Sequence, residues 1–296
     1  MTLVELITAQ AARLKKAGVA YGHGTTNAFD ESAWLVTWAI GMPIGALEEH
    51  AQDVLDEDLV AKAEALIGKR IEARTPAAYL TREAWLQNVP FYIDERSIVP
   101  RSFIAELLAD GEGTGLLDAW LTDRTRSVLD LCTGNGSLAV IAAMAYPEVV
   151  VDAADLSGEA LAVARINVDR HKLGTRITLI ESDLYANVRG PYDLILCNPP
   201  YVNAASMAAL PPEYRAEPAL ALAGGDDGMD LVRRILHEAP AHMTPDAVLV
   251  LEIGNERRHF EHAFARLEVA WLETSAGDNQ VLLATRAAIA AENARS

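Results

Sequence analysis

From about residue 127 the chain trades short apolar runs against helical stretches at close intervals, and this alternation constrains the fold more than any other feature. "SVLDLC", "VVVDAAD", "ITLIESD", "YDLILC" and "AVLVLEI" read as strands; "SLAVIAAMAY", "SGEALAVARINVDRH" and "DLVRRILHEAP" read as the helices among them. A strand that returns parallel to its predecessor needs a crossover helix, so the pattern predicts an α/β, Rossmann-like parallel sheet with helices on both faces. "VAWLET" and "QVLLATR" read as the last strands, and the alanine-rich tail from Ala287 is expected to fray.

Residues 1 to about 75 follow a different period. "LVELITAQAARLKKAG" has helical spacing and ends in Lys15, Lys16 and Gly18. "DESAWLVTWAIGMP" has Asp30 as a candidate N-cap and Gly41 with Pro43 as its stop, and "DEDLVAKAEALIGKRIEAR" runs from acidic to basic as the helix dipole favours. Between the first two lies "YGHGTTNAFD", a loop without helical period. "REAWLQNVPFYIDERSIVP" suits a short β-hairpin, after which "RSFIAELLADG" restarts a helix. The expected division is a helical domain over 1–83, a hairpin linker over 84–100 and the α/β domain over 101–296.

Composition narrows the function. Hydrophobic residues make up 51% of 296, enough for a sizeable core, yet no apolar run reaches the roughly 18 residues of a membrane span. The N-terminus lacks a signal-peptide layout, and two cysteines make no disulfide framework, so a cytoplasmic protein without membrane contact is expected. With a net charge of −17 the chain does not offer the cationic surface that phosphate-backbone binding usually needs, and no stable nucleic-acid binding is expected. An acidic field favours a basic partner instead.

Four features fall at strand C-terminal ends, where open α/β sheets bind ligands. "LCTGNGS" places Gly134 and Gly136 between a strand and a helix, where backbone N–H groups can approach a ligand; the third glycine of the dinucleotide fingerprint is missing, Ala139 standing in its place. Asp155 ends the next strand and can accept from two ribose hydroxyls, while Ser157 supplies the N-cap of the following helix. Asp183, in "ESDLY", either accepts from an adenine amino group with Leu184 against the ring, or is an ordinary turn residue. The fourth feature is "YDLILCNPPYV", residues 192–202: an apolar strand that stops on Asn198, Pro199, Pro200 and Tyr201. Proline cannot donate a ladder hydrogen bond and stiffens the residue before it. The Asn198 side-chain oxygen and the Pro199 carbonyl could thus accept both N–H groups of a planar amino nitrogen and orient it for methyl transfer, with Tyr201 packed beside it.

With these residues in view, the chain resembles the S-adenosyl-L-methionine-dependent methyltransferases, and specifically the N5-glutamine methyltransferases. "CNPPYV" is similar to the motif of enzymes that methylate amide or exocyclic amino nitrogens, the adenine-N6 enzymes included. "VPFYIDERSIVPRSFIAELL" and "LPPEYRAEPALALAGGDDGMDLVRRIL" resemble the glutamine enzymes. "AYGHGTTNAFDESAWLV", "TPAAYLTREAW" and "DLCTGNGSLAV" resemble the branch acting on ribosomal protein L-three rather than that acting on release factors. The resemblance implies a class I methyltransferase sheet and transfer from S-adenosyl-L-methionine, leaving S-adenosyl-L-homocysteine, to a glutamine of a basic ribosomal protein that the helical domain recognises. By position it implies a cofactor site of Asp130, Thr133, Gly134, Asn135, Gly136, Asp155, Leu156, Asp183, Leu184 and Asn198. Asn198, Pro199, Pro200 and Tyr201 surround the acceptor, and no metal is implied. Arg101 and Glu106 are pocket residues, hinge residues or a structural ion pair. Glu213 and Arg215 in "EYRAEP" either pair or meet the substrate backbone, on a segment over the site. His23 is expected to shape its loop or touch the substrate, and the "GGDDGMD" carboxylates to form a turn and helix cap. Asn135 and Phe103 depart from the branch, which commonly has Ser and Pro there, and Leu86 from a frequent Phe.

Overall fold

The computed structural model describes residues 1–108 and 117–295. Its N-terminal part is a bundle built on α1 (Leu3–Ala17), α2 (Ala28–Ala39), the single turn α3 (Leu47–His50), α4 (Glu57–Ala73) and α5 (Ala77–Thr81). A capping box opens α1: the Thr2 hydroxyl accepts from the Glu5 N–H while the Glu5 carboxylate accepts from the Thr2 N–H. Contrary to expectation, α2 is capped by Asn27 and not by Asp30. Asn27 holds the extended backbone a cap needs, and its side-chain oxygen accepts from the Asp30 N–H, which puts Asp30 inside the first turn. Leu3, Leu6 and Ile7 of α1 meet Ala33 and Val36 of α2 and Ala63 of α4. The Ser32 hydroxyl, fully buried, donates to the Ile7 carbonyl at 2.7 Å and fixes the crossing of the first two helices.

The expected hairpin is β1 (Glu83–Leu86) and β2 (Val89–Tyr92), antiparallel, turning on Gln87 and Asn88, both at positive φ as a two-residue hairpin requires. It is docked by one residue of a later helix: Asn167 accepts from the Tyr92 N–H at 2.7 Å and donates to the Tyr92 carbonyl at 3.0 Å. Beyond it, α6 (Ile104–Leu108) is the helix expected over "RSFIAELLADG", whose last residues lie outside those described.

The α/β part follows the alternation. β3 (Ser127–Leu131), α7 (Ser137–Ala145), β4 (Val150–Asp155), α8 (Gly158–Arg170), β5 (Ile177–Glu181), β6 (Tyr192–Cys197), α9 (Ala204–Ala209), α10 (Asp230–Glu238), β7 (Met243–Glu252), α11 (Arg257–Ala263), β8 (Ala270–Thr274), β9 (Gly277–Thr285) and α12 (Arg286–Asn293) come in that order. The seven strands lie in the order β5-β4-β3-β6-β7-β9-β8. The first five in that spatial order run parallel; β9 is antiparallel to both neighbours, so the sheet is mixed rather than parallel throughout. The cause is the short turn between β8 and β9, which leaves no length for a crossover. Successive residues of each central strand face opposite layers. Val128, Leu194 and Val248 pack with α7 on one side, and Leu129, Ile195 and Leu249 with α10 and α12 on the other.

The tail from Ala287 does not fray. Thr285 caps α12 by accepting from the Ala288 N–H, Ile289 is buried, and Asn293 donates to the Leu236 and His237 carbonyls. The short helices α9 and α11 were not expected. Among the described residues, no helix is long and apolar enough to cross a membrane.

Candidate active site

The C-terminal ends of β5, β4, β3 and β6 open into one cavity of about 310 Å³. Because those strands are neighbours in that order, the residues that follow them stand in a row: Asp183 and Leu184, then Asp155 and Leu156, then Thr133 to Asn135, then Asn198 to Tyr201. Sequence positions up to 68 apart are thereby brought along one edge. Of the residues singled out from the sequence as a cofactor site, Asp130 and Gly136 do not line the cavity and act one layer behind it.

Asp130 is wholly buried at the end of β3. One carboxylate oxygen accepts from the Thr133 hydroxyl and, at 2.9 Å, from the Ala139 N–H; the other has no partner. Burial pushes its carboxyl up to about 7 against those two hydrogen bonds. The turn then passes through Gly134 at φ 57° and Gly136 at φ 79°. A side chain at Gly136 would bring its Cβ within 3.1 Å of the Ala164 Cβ, so the left-handed turn and the α7–α8 contact both demand glycine. Asn135 is 2% exposed: its oxygen accepts from the Ser137 N–H, its carbonyl accepts from Asn167, and its amide nitrogen has no partner. The Ser97 hydroxyl, also lining the cavity, is likewise unpartnered.

Asp155 accepts from the Gly134 N–H and from the Ser157 N–H, each at 2.8 Å, which ties the β3 turn to the β4 turn. Burial raises its carboxyl despite both bonds. Ser157 caps α8, accepting from the Ala160 N–H at 3.1 Å. Leu156 is half exposed on the cavity wall. Asp183, at the far end, pairs with Arg234 at 3.0 Å, a partner on α10 that the local sequence does not announce.

At the other end, β6 stops at Cys197 and the two prolines carry the chain out of the sheet. Neither the Asn198 side chain nor the Pro199 carbonyl has a hydrogen-bond partner among the described residues. The Tyr201 hydroxyl donates to Glu252 at 3.2 Å, and burial raises that phenol well above its ordinary value. The same Glu252 accepts from the Ser102 hydroxyl at 2.6 Å and the Phe103 N–H at 2.9 Å. The Tyr201 ring fits only because Gly254 has no side chain: a Cβ there would sit 2.4 Å from it. Gly224 leaves the same clearance for the Tyr201 backbone, a reason for the "GGDDG" stretch that its carboxylates had hidden. Asp227 accepts from the Met229 N–H and pairs with Arg233, while α10 lacks a side-chain cap. No group of residues placed to hold a metal occurs among those described.

Arg101 and Glu106 do not pair. Arg101 lines the cavity and grips Glu217 with both guanidinium nitrogens at 2.6 and 2.7 Å, whereas Glu106 accepts from the Ser275 N–H and hydroxyl away from it. Glu213 and Arg215 do not pair either. Arg215 is exposed, and Glu213 is fully buried, accepting from the Ala20 N–H at 3.0 Å and meeting Arg70 and Arg74 of α4 and its cap. His23 is buried with its ring 4.3 Å from that of Tyr214 and a nitrogen 3.6 Å from Glu217. Glu217, Glu252 and Arg70 are the site-supporting residues the sequence did not reveal; each partner lies scores of residues away, beyond the reach of any local pattern.

Residues 109–210 match the family model of the methyltransferase small domain. The chain is 51% identical over 290 residues to the ribosomal protein uL3 glutamine methyltransferase of Burkholderia pseudomallei, covering 95% of this chain and 94% of that one. To the enzyme of the same description from Bordetella pertussis it is 50% identical, covering 96% and 95%. Among solved structures, the hMettl16 catalytic domain shares the fold at 13% identity and a TM-score of 0.51, over 78% of this chain and 81% of that one. An unpartnered asparagine side chain beside a double proline thus sits in a fold and at an identity that leave one conclusion: the chain belongs to the ribosomal protein uL3 glutamine methyltransferase family.

Proposed function

We propose that this protein transfers a methyl group from S-adenosyl-L-methionine to the side-chain amide nitrogen, N5, of a glutamine in ribosomal protein uL3. The observation that carries the proposal is the pair of unsatisfied acceptors, the Asn198 side-chain oxygen and the Pro199 carbonyl, at one end of a cavity whose other end is furnished for a nucleoside.

The residues present fit the cofactor. The cavity holds buried polar atoms without partners, Ser97 Oγ and Asn135 Nδ2, and a glycine turn that a side chain would fill. Asp155 would take the ribose, Asp183 and Leu184 the adenine, and the Thr133–Asn135 turn the amino-acid end, with Leu156 along the wall and Asp130 and Gly136 shaping the turn from behind. When bound, the cofactor supplies an electrophilic methyl group on a sulfonium sulfur.

An amide nitrogen is a poor nucleophile because its lone pair is delocalised into the carbonyl. Asn198 Oδ1 and the Pro199 carbonyl accept its two N–H groups and fix its plane. They also favour the charge that develops on nitrogen as the lone pair localises. Pro200 stiffens the frame, and Tyr201, held by Glu252, packs beside the amide and excludes water. The acidic protein suits a basic ribosomal protein substrate, in a cytoplasmic setting without nucleic acid or membrane. The helical domain over 1–83 recognises that substrate, and the hairpin over 84–100 joins it to the catalytic domain over 101–296.

The test is incubation of labelled cofactor with isolated uL3, a release factor and DNA in separate reactions, followed by mass mapping. Label on one glutamine of uL3 is expected; label confined to either other acceptor overturns the substrate. Asn198→Ala should lower kcat on the order of a hundredfold while calorimetric affinity for S-adenosyl-L-homocysteine changes little. Full activity in that variant would refute the mechanism.

A further inference from the structure

The "YGHGT" loop of the N-terminal bundle takes no part in the chemistry above, yet it reaches the acceptor end of the cavity. Its contact there is Tyr214, on the one-turn helix Pro212–Ala216 that follows the double-proline segment. Tyr214 lines the cavity together with Arg101 and Tyr201. The Arg101 guanidinium lies 5.5 Å from the centre of the Tyr214 ring. These three side chains therefore form one group at the end of the row where Asn198 and Pro199 wait without partners.

Tyr214 is held from the side of the bundle. The His23 ring is tilted against it with centroids 4.3 Å apart. Gly22, at φ 117°, lets the Tyr214 hydroxyl approach so closely that a Cβ on residue 22 would sit 2.7 Å from it. The residues on either side are bolted down by buried ions. Glu213, one residue before, meets Arg70, Arg74 and the Ala20 N–H of the bundle; Glu217, three residues after, meets Arg101, His23 and the Val99 N–H. Arg70 is itself wholly buried and held by Glu31 at 2.9 Å and the Ala20 carbonyl at 2.8 Å. A ring tied at both flanks and wedged by a glycine has little freedom to choose another rotamer.

We propose that Tyr214 is a substrate-facing wall of the acceptor pocket, and that the Gly22–His23 loop of the helical bundle sets its position, so that the bundle completes the acceptor site. This rests on the proposed transfer to a protein glutamine. A planar side-chain amide needs flat walls to hold its plane, and Tyr201 supplies only one; Tyr214 supplies a second from an element the bundle controls. The bundle then acts on the chemistry as well as on docking, because a displaced loop displaces the wall. Gly22 and His23 are positioning residues, since they act through Tyr214.

The experiment uses the full chain with uL3 as acceptor, comparing Tyr214→Phe, Tyr214→Leu, Gly22→Ala and the double variant Gly22→Ala/Tyr214→Phe. Tyr214→Leu should lower kcat about tenfold or more, with S-adenosyl-L-homocysteine affinity within about threefold of wild type, and Tyr214→Phe, which keeps the ring, should lose less. Gly22→Ala should resemble Tyr214→Leu, and adding Tyr214→Phe to it should recover part of the loss by removing the hydroxyl the new methyl strikes. The strain of an alanine at positive φ is common to both Gly22→Ala proteins and cancels. Wild-type kinetics in Tyr214→Leu, an equal loss of cofactor affinity, or no recovery in the double variant would each overturn the proposal. A wild-type protein that leaves uL3 unlabelled sinks the functional reading instead. The Gly22–Tyr214 coupling is then read from a double-mutant cycle of unfolding free energies, where a coupling of zero would refute the placement.

Discussion

Asp130 holds its proton where an exposed aspartate would have lost it. Its folded value, about 7, lies above the roughly 3.9 of an unfolded aspartate, so the native state binds the extra proton between those limits. The associated stability is complete below about pH 4 and falls as pH rises toward 7. Asp130→Asn keeps the acceptor for Thr133 and Ala139 and has no proton to lose. Urea unfolding at pH 5 and pH 7.5 should show wild type losing stability relative to the variant, on the order of 2 kcal/mol; parallel curves would contradict the buried neutral carboxyl. Such single residues were unevenly legible. Gly134, Asp155 and Asn198 stood out because strand ends carry their own punctuation, and the structure sets them along one cavity. The arginine on Asp183 and the carboxylate on Tyr201 did not, since nothing local marks a partner on another element.

At the scale of elements, what local pattern can encode was readable and what long-range pairing decides was not. The central strands and α7, α8 and α10 are visible as runs of apolar residues with the right period. The reversal of β9 and the docking of α12 depend on a neighbouring strand and a neighbouring helix. Alanine-rich "RAAIAAEN" has too little apolar surface to declare its destination, which buried Ile289, the Thr285 cap and the Asn293 bonds to Leu236 and His237 reveal. Ile289→Ala should therefore cost about 2–4 kcal/mol in chemical denaturation, as deletion of a buried branched side chain does. A cost under about 0.5 kcal/mol would mean that the tail is dispensable after all.

Across the whole molecule, the bundle and the sheet are joined by charges taken out of water. Burial alone would raise Glu217, but the charge and hydrogen bonds of Arg101, with His23 close by, hold it at about 2. An unfolded glutamate titrates near 4.3, so this carboxylate stabilises the fold above that pH and ceases to as pH falls toward 2. Glu217→Gln should cost on the order of 3 kcal/mol at pH 7, and the gap from wild type should close as the solution is acidified from about pH 4.5 to 2. A gap independent of pH in thermal melts would mean the charge is not the source. Glu213 obeys the same sign, its carboxyl held low by the Ala20 N–H, Arg74 and Arg70 against the effect of burial. Glu213 takes its counter-charges, Arg70 and Arg74, from the helical bundle, whereas Glu217 takes Arg101 from its own side and reaches the bundle only through His23. Grafting a foreign helical domain onto residues 101–296 would leave Glu213 buried without Arg70, Arg74 and the Ala20 N–H, so a working chimera has to exchange the segment around Glu213 together with the helical domain.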